Sequence, residues 1–94
     1  LAYHIGTEVY AEQVLGKGVA IPRTREEVAL KAWELAGKPA VERNGEPLSE
    51  AAQAEKWAVE SGLMQNDADG SFNGSKKMSK LKALRTLDAA KKLG

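Results

Sequence analysis

The sequence predicts an all-α fold of four principal helices arranged as tandem helix-loop-helix units. Three observations carry that expectation. Apolar residues recur at helical spacing in four segments, each bounded by a capping residue, a glycine or a proline. Alternating strand-like runs are hard to find. The order of helix, glycine stop, loop and capped helix occurs twice along the chain.

The first helix is expected over about Thr7–Leu15, with Thr7 as its cap. Val9, Tyr10, Val14 and Leu15 form its apolar stripe, and Gly16 and Gly18 stop it. The second helix has the sharpest start. Thr24-Arg25-Glu26-Glu27 fits a capping box, in which the threonine hydroxyl accepts from the Glu27 N–H and the Glu27 carboxylate reaches back. Pro22 precedes this box. Val28, Ala32 and Leu35, with Ala29, Trp33 and Ala36, are placed on the core side, and Gly37 and Pro39 end the helix.

The third helix starts at Ser49, after Pro47, and carries Ala51, Ala54, Trp57 and Ala58 before Gly62. Its alanines permit close helix packing, with Trp57 supplying the bulk. The fourth starts at Ser79, with Leu81, Leu84, Leu87 and Leu93 expected inward and Met78 stapled against Ala83. Arg43 to Glu46 reads as a turn around Asn44-Gly45, a natural link between halves, and Gln65 to Lys77 as a long polar loop.

The halves, about residues 7–38 and 48–93 of a single domain spanning 1–94, resemble each other. Ala11-Glu12-Gln13-Val14 recurs as Ala54-Glu55-Lys56-Trp57, Gly18-Val19 as Gly62-Leu63, and Thr24-Arg25 as Ser79-Lys80. Gly18 and Thr24 stand 6 positions apart but Gly62 and Ser79 stand 17 apart, so the second loop is the longer one.

A chain of 94 residues and 10.1 kDa can bury roughly 64% of its unfolded surface, enough for one modest core but not for a deep catalytic pocket. Hydrophobic residues make up 43% and charged residues 29%, which separates it from disordered chains. The absence of cysteine excludes disulfides, thiolate zinc sites and a cysteine nucleophile. No apolar run approaches the roughly 18 residues of a membrane span, and no signal peptide is expected in these residues. Charge is lopsided. From Lys76 onward seven cations face one acid, a net +6, while the preceding residues hold seven cations and twelve acids, a net −5. A basic last helix on an acidic body suits an anionic partner, or else docks on acidic neighbours within the fold.

Two stretches connect this organisation to a known family. Ala54-Glu55-Lys56-Trp57-Ala58-Val59-Glu60-Ser61-Gly62-Leu63, followed by Asp67-Ala68-Asp69-Gly70-Ser71-Phe72-Asn73, resembles the helix, glycine-hydrophobic pair and D-G-x-F loop of the S-layer homology (SLH) repeat. Thr24-Arg25-Glu26-Glu27 is similar to the family's T-R-x-E. The first half lacks the D-G-x-F loop. The second has Ser79-Lys80-Leu81-Lys82 where T-R-x-E would stand, and Gly74 replaces a common proline. Two repeats are visible where three usually make a complete unit. Divergent tandems of this kind also resemble the C-terminal wall-binding parts of phage lysins and bacterial amidases.

The resemblance implies a non-catalytic module that holds a larger protein, a wall hydrolase or surface protein, to a bacterial cell-wall polysaccharide or peptidoglycan. It also implies an extracellular location at the wall or cell surface. Arg25 is the first ligand candidate, because a guanidinium grips a sugar carboxylate bidentately and the start of a helix adds N–H donors. A structural contact between the halves is the competing role. Lys80 is its counterpart in the second half, with a looser ammonium grip. Trp57 and Trp33 could stack on sugar rings, although both lie on apolar stripes. Asp69 and Gly70 belong to the D-G-x-F loop.

Other chemistry is not expected. Placing Gly70 at the sixth position of a calcium loop puts Lys76 at the twelfth, where a bidentate glutamate is required. His4 sits too near the start of the sequence for a triad. Glu26 and Glu27 read as capping acids, and Lys77-Met78-Ser79-Lys80 matches a synthetase signature by chance. No cofactor or metal is foreseen. A nucleic-acid-binding domain using the last helix is the main alternative, but 16 residues separate Gly62 from Ser79 where a helix-turn-helix uses 3–4. A protein–protein module is the other.

Overall fold

A computed structural model describes residues 6–41 and 49–93; His4 and the turn expected at Arg43–Glu46 lie outside them. The fold is all-α. Its helices are α1 (Thr7–Leu15), α2 (Arg25–Leu35), α3 (Glu50–Glu60) and α4 (Lys80–Leu93). Strand pairing among the described residues is limited to one antiparallel bridge, Thr24 with Lys77.

The caps explain the boundaries. The Glu27 N–H donates to the Thr24 hydroxyl over 3.2 Å. The Glu27 carboxylate returns to that hydroxyl at 3.1 Å rather than to the backbone. Ser49 accepts from the Ala52 N–H at 3.1 Å, and Ser79 from the Lys82 N–H at 3.2 Å. At the first helix the expectation shifts by one residue. Gly6 is the cap, without a side-chain bond, and Thr7 is the first helical residue. At the end of α2, Gly37 takes φ +90°; its N–H donates to the Glu34 carbonyl and that of Lys38 to the Trp33 carbonyl, a Schellman closure. Gly62, at φ +80°, ends α3 by donating to Val59. Thr24→Ala is expected to cost about 1 kcal/mol in urea denaturation. Equal stability of variant and parent would mean that the side-chain cap contributes nothing.

The core is built largely from small residues. Ala29, Ala32, Ala54, Ala58, Ala83 and Ala90 are fully buried around Val28, Leu84 and Leu87, with Trp33, Met64 and Met78 closing the gaps. On α4 the buried stripe is Ala83, Leu84, Leu87 and Ala90, with the i, i+1, i+4, i+7 spacing of one helix face. Leu81 and Leu93 fall off that stripe and are 45% and 58% exposed, against the expectation that they point inward. Val9 is likewise exposed, and Ala11 takes its place beside Val14 in the core.

Helix pairing crosses between the halves. α2 packs on α3 and α4, and α1 packs on α4. Among the described residues α1 has no contact with α2, nor α3 with α4. Exchanging α1 with α3 and α2 with α4 leaves this pattern of pairs unchanged. The molecule is elongated, 55 × 28 × 20 Å with a radius of gyration of 13.9 Å, against about 12.4 Å for a compact chain of this length. An open shape of this kind leaves grooves between its elements.

Candidate functional site

Residues 65–77 form a strap across the start of α2. The Arg25 N–H donates to the Lys76 carbonyl and the Glu26 N–H to the Gly74 carbonyl, both at 2.9 Å; the Met78 N–H donates to Arg23 at 2.7 Å. With Glu27 satisfied by Thr24, the first three N–H groups of α2 all have partners within the chain. They are therefore not free to bind an anionic ligand, which corrects the expectation that the helix start supplies donors to one.

Arg25 holds this strap from below. Its side chain is almost fully buried, at 9% exposure. Nε donates to the Phe72 carbonyl at 2.8 Å and Nη2 to the Gln65 carbonyl, while the guanidinium lies 4.9 Å from the Phe72 ring centre. The contact between halves is made, but it runs to carbonyl oxygens and an aromatic face rather than to a carboxylate. Lys80, at the corresponding position of α4, is exposed with no partner among the described residues. The difference follows from loop length, since Gly18–Thr24 is too short to supply a second strap.

The strap's tip is self-bonded. Asp67 and Ser71 close a tight turn, in which the Gly70 N–H donates to Asp67 and that of Asp67 to Ser71, both at 2.9 Å. The Asp69 carboxylate accepts from the Ser71 N–H at 2.9 Å. The Asn73 amide donates to Asp67 at 2.7 Å, and Lys76 pairs with Asp67 at 3.5 Å. The Asn73 bond, with the charges of Lys76 and Arg25 behind it, holds the Asp67 carboxyl below the usual aspartate value.

Between this strap and α4 lies a cleft of about 320 Å³. Gly62–Asp67 form one wall and Met78, Lys82 and Thr86 the other, with Arg25 at the base. Of the five ligand residues expected from the sequence, the structure brings only Arg25 to this cleft. Lys80, Asp69 and Gly70 lie outside it, and Trp57 is half-buried against the core. Trp33 is buried, with its indole N–H donating to the Pro39 carbonyl at 2.8 Å. Gln65, Asn66, Lys82 and Thr86 were not proposed as sugar ligands: Asn66 entered only the rejected calcium loop and Lys82 only the stretch that departs from T-R-x-E. Only their position after the glycine stop, or on the cleft side of the last helix, marks them.

A second cleft, of about 270 Å³, occupies the corresponding place in the first half, lined by Ala20, Ile21, Pro22, Glu27, Leu30, Lys31 and Glu34. Aligning Gly18 with Gly62 and Thr24 with Ser79 sets Ala20 on Met64, Ile21 on Gln65, Glu27 on Lys82 and Lys31 on Thr86. The two hollows are positional equivalents with different linings. On the other side of the strap, Phe72 and α3 border a third depression that contains Glu55. Partial burial, reinforced by the neighbouring Glu26, raises the Glu55 carboxyl above its usual value. Its ionised form thus works against the fold at neutral pH, and this is relieved as pH falls through its raised value.

Among the described residues no three histidine, aspartate or glutamate side chains converge as metal ligands, and no helix is long and apolar enough to cross a membrane. Comparison with protein-family models, curated proteins and solved structures returns no match.

Proposed function

We propose that this chain is a non-catalytic module that binds a bacterial cell-wall polysaccharide and so attaches a larger protein to the envelope. The observation that carries this reading is the cleft of Arg25, Gln65, Asn66, Asp67, Lys82 and Thr86. It lies between the two SLH-like stretches and offers donors and acceptors side by side. Ionised Asp67 and cationic Lys82 oppose each other in charge, which suits the hydroxyl groups of a sugar better than a single carboxylate. The equivalent hollow of the first half, and the pairing pattern that survives exchange of the halves, support reading the chain as two repeats.

Gln65 and Asn66 are exposed, and Gln65 contributes only its carbonyl to the strap, so both can be truncated without loosening it. The double variant Gln65→Ala/Asn66→Ala is expected to sediment with purified cell walls about tenfold more weakly, at about 1 kcal/mol or less per lost side-chain hydrogen bond. Its melting curve should match the parent's. Retention of full wall binding by this variant would remove the cleft as the binding site. Preference of the parent for duplex DNA over walls at physiological salt would replace the reading with a nucleic-acid module.

A further inference from the structure

α4 carries more positive charge than the fold uses. Lys80, Lys82 and Arg85 on α4, and Lys77 just ahead of it, are exposed, and their side chains have no partner among the described residues. Lys91 reaches the Gln13 carbonyl at 3.4 Å, and Lys92 has only the local Asp88 at 3.5 Å, in a pair 77% exposed on the lysine side. Among the described residues, these side chains do not dock on acidic neighbours from other helices, the structural alternative raised by the charge of this helix.

The exposed cations of α4 are ordered rather than scattered. Lys82, Arg85 and Lys92 are spaced by three and seven residues, which places them on one face of the helix. That face is opposite the buried Ala83, Leu84, Leu87 and Ala90. It runs about 15 Å at 1.5 Å per residue, and its near end, Lys82, is also a wall of the sugar cleft.

From this stripe we infer that α4 binds the phosphodiester backbone of a linear polyol-phosphate polymer of the cell wall, whose sugar substituents enter the adjoining cleft. The inference rests on the wall-binding reading and deepens it by naming the polymer's charge-bearing group and the surface that meets it. Charge complementarity favours a thin single chain. The stripe is one helix wide and is bordered by Asp88 on α4, and α1, which packs on α4, carries the exposed acid Glu12. A duplex would press a second strand of phosphates against those acids and the −5 body. α4 contains no aromatic residue, so it offers no stacking platform for the bases of a single-stranded nucleic acid.

The test uses the full chain with two preparations of the same bacterial walls: intact, and stripped of phosphodiester polymer by cold hydrofluoric acid. Binding is measured by sedimentation across a salt series, with duplex DNA as competitor. Intact walls should bind at least about tenfold more tightly than stripped ones at low salt, because each neutralised phosphate releases counterions. Arg85→Gln/Lys92→Gln removes two exposed charges away from the cleft. It should make the slope of log affinity against log salt shallower by about 1.5, at roughly 0.7–0.9 per charge, with an unchanged circular dichroism spectrum. Gln65→Ala/Asn66→Ala should weaken binding without altering that slope. An unchanged slope in Arg85→Gln/Lys92→Gln overturns the inference, as does displacement of the protein from walls by DNA at equal phosphate concentration. Stripped walls bound as tightly as intact ones, and still weakened by the cleft variant, leave the wall-binding reading in place and remove the inference alone. Failure to bind either preparation removes both.

Discussion

Arg25→Ala is expected to lower the unfolding free energy by about 3 kcal/mol, since hydrogen bonds from a charged donor contribute about 1.5–3 kcal/mol each and their loss strands the Phe72 and Gln65 carbonyls. A domain of this size has of order 5–14 kcal/mol in total, so the variant gives up a large share of it. The consequence extends beyond the side chain, because a loosened strap also withdraws the Lys76 and Gly74 carbonyls that satisfy the start of α2. Arg25→Lys retains the charge, but a single ammonium does not match the fork that meets both carbonyls, and it should recover less than half of the loss. Urea denaturation of both variants is the check, and a stability of Arg25→Ala within about 0.5 kcal/mol of the parent would show that the strap is held without its guanidinium.

Gly74→Ala comes next in size. A methyl group at this position would sit 2.9 Å from the Glu26 Cβ and 3.6 Å from its Cα, with the Glu55 Oε2 at 3.2 Å. The nearest neighbours belong to the first turn of α2 and have little room to retreat, so the strap must lift and the Glu26 N–H to Gly74 bond must lengthen. Overpacking of this kind costs about 2 kcal/mol. The cause is steric rather than conformational, and Gly74→Ser should therefore do no better than alanine. Thermal melts that superimpose for Gly74→Ala and the parent would show that the strap can give way without cost.

What could be read in the sequence and what could not divides along chain separation. The Thr24 box, the Ser49 and Ser79 caps and the Gly37 and Gly62 stops are local, each decided within a few residues, and they fix the helix boundaries. Arg25 was marked by its place in the motif, but its partners lie 40 and 47 residues away and are backbone carbonyls. A carbonyl belongs to every residue and leaves no trace in the residue type. Phe72 stood in the D-G-x-F stretch, yet nothing there indicated that its ring would lie against a guanidinium. Leu81 and Leu93 were placed inward because leucine usually is. The alanines beside Leu84 and Leu87 make the tighter face, and they won the core. The cleft was illegible for the same reason as the strap, since its two walls meet only after the helices pair.

That pairing sets how the chain assembles and how it opens. α2 and α3 are neighbours in sequence, so the loop closed by their docking is short and their encounter is early. α1 docks on α4 across nearly the whole chain, with Lys91 meeting Gln13 over 78 positions, and ring closure of that size is among the costliest entropic steps available to a domain this small. α1 is also the shortest of the described helices, at nine residues, and of its described side chains Ala11 and Val14 alone enter the covered interior. It is therefore expected to be the last element to join and the first to leave, with its amide protons exchanging faster than those of α2 in a native-state hydrogen-exchange experiment. Its departure would uncover one flank of α4, whereas none of the hydrogen bonds between the strap and the start of α2 involves a residue of α1.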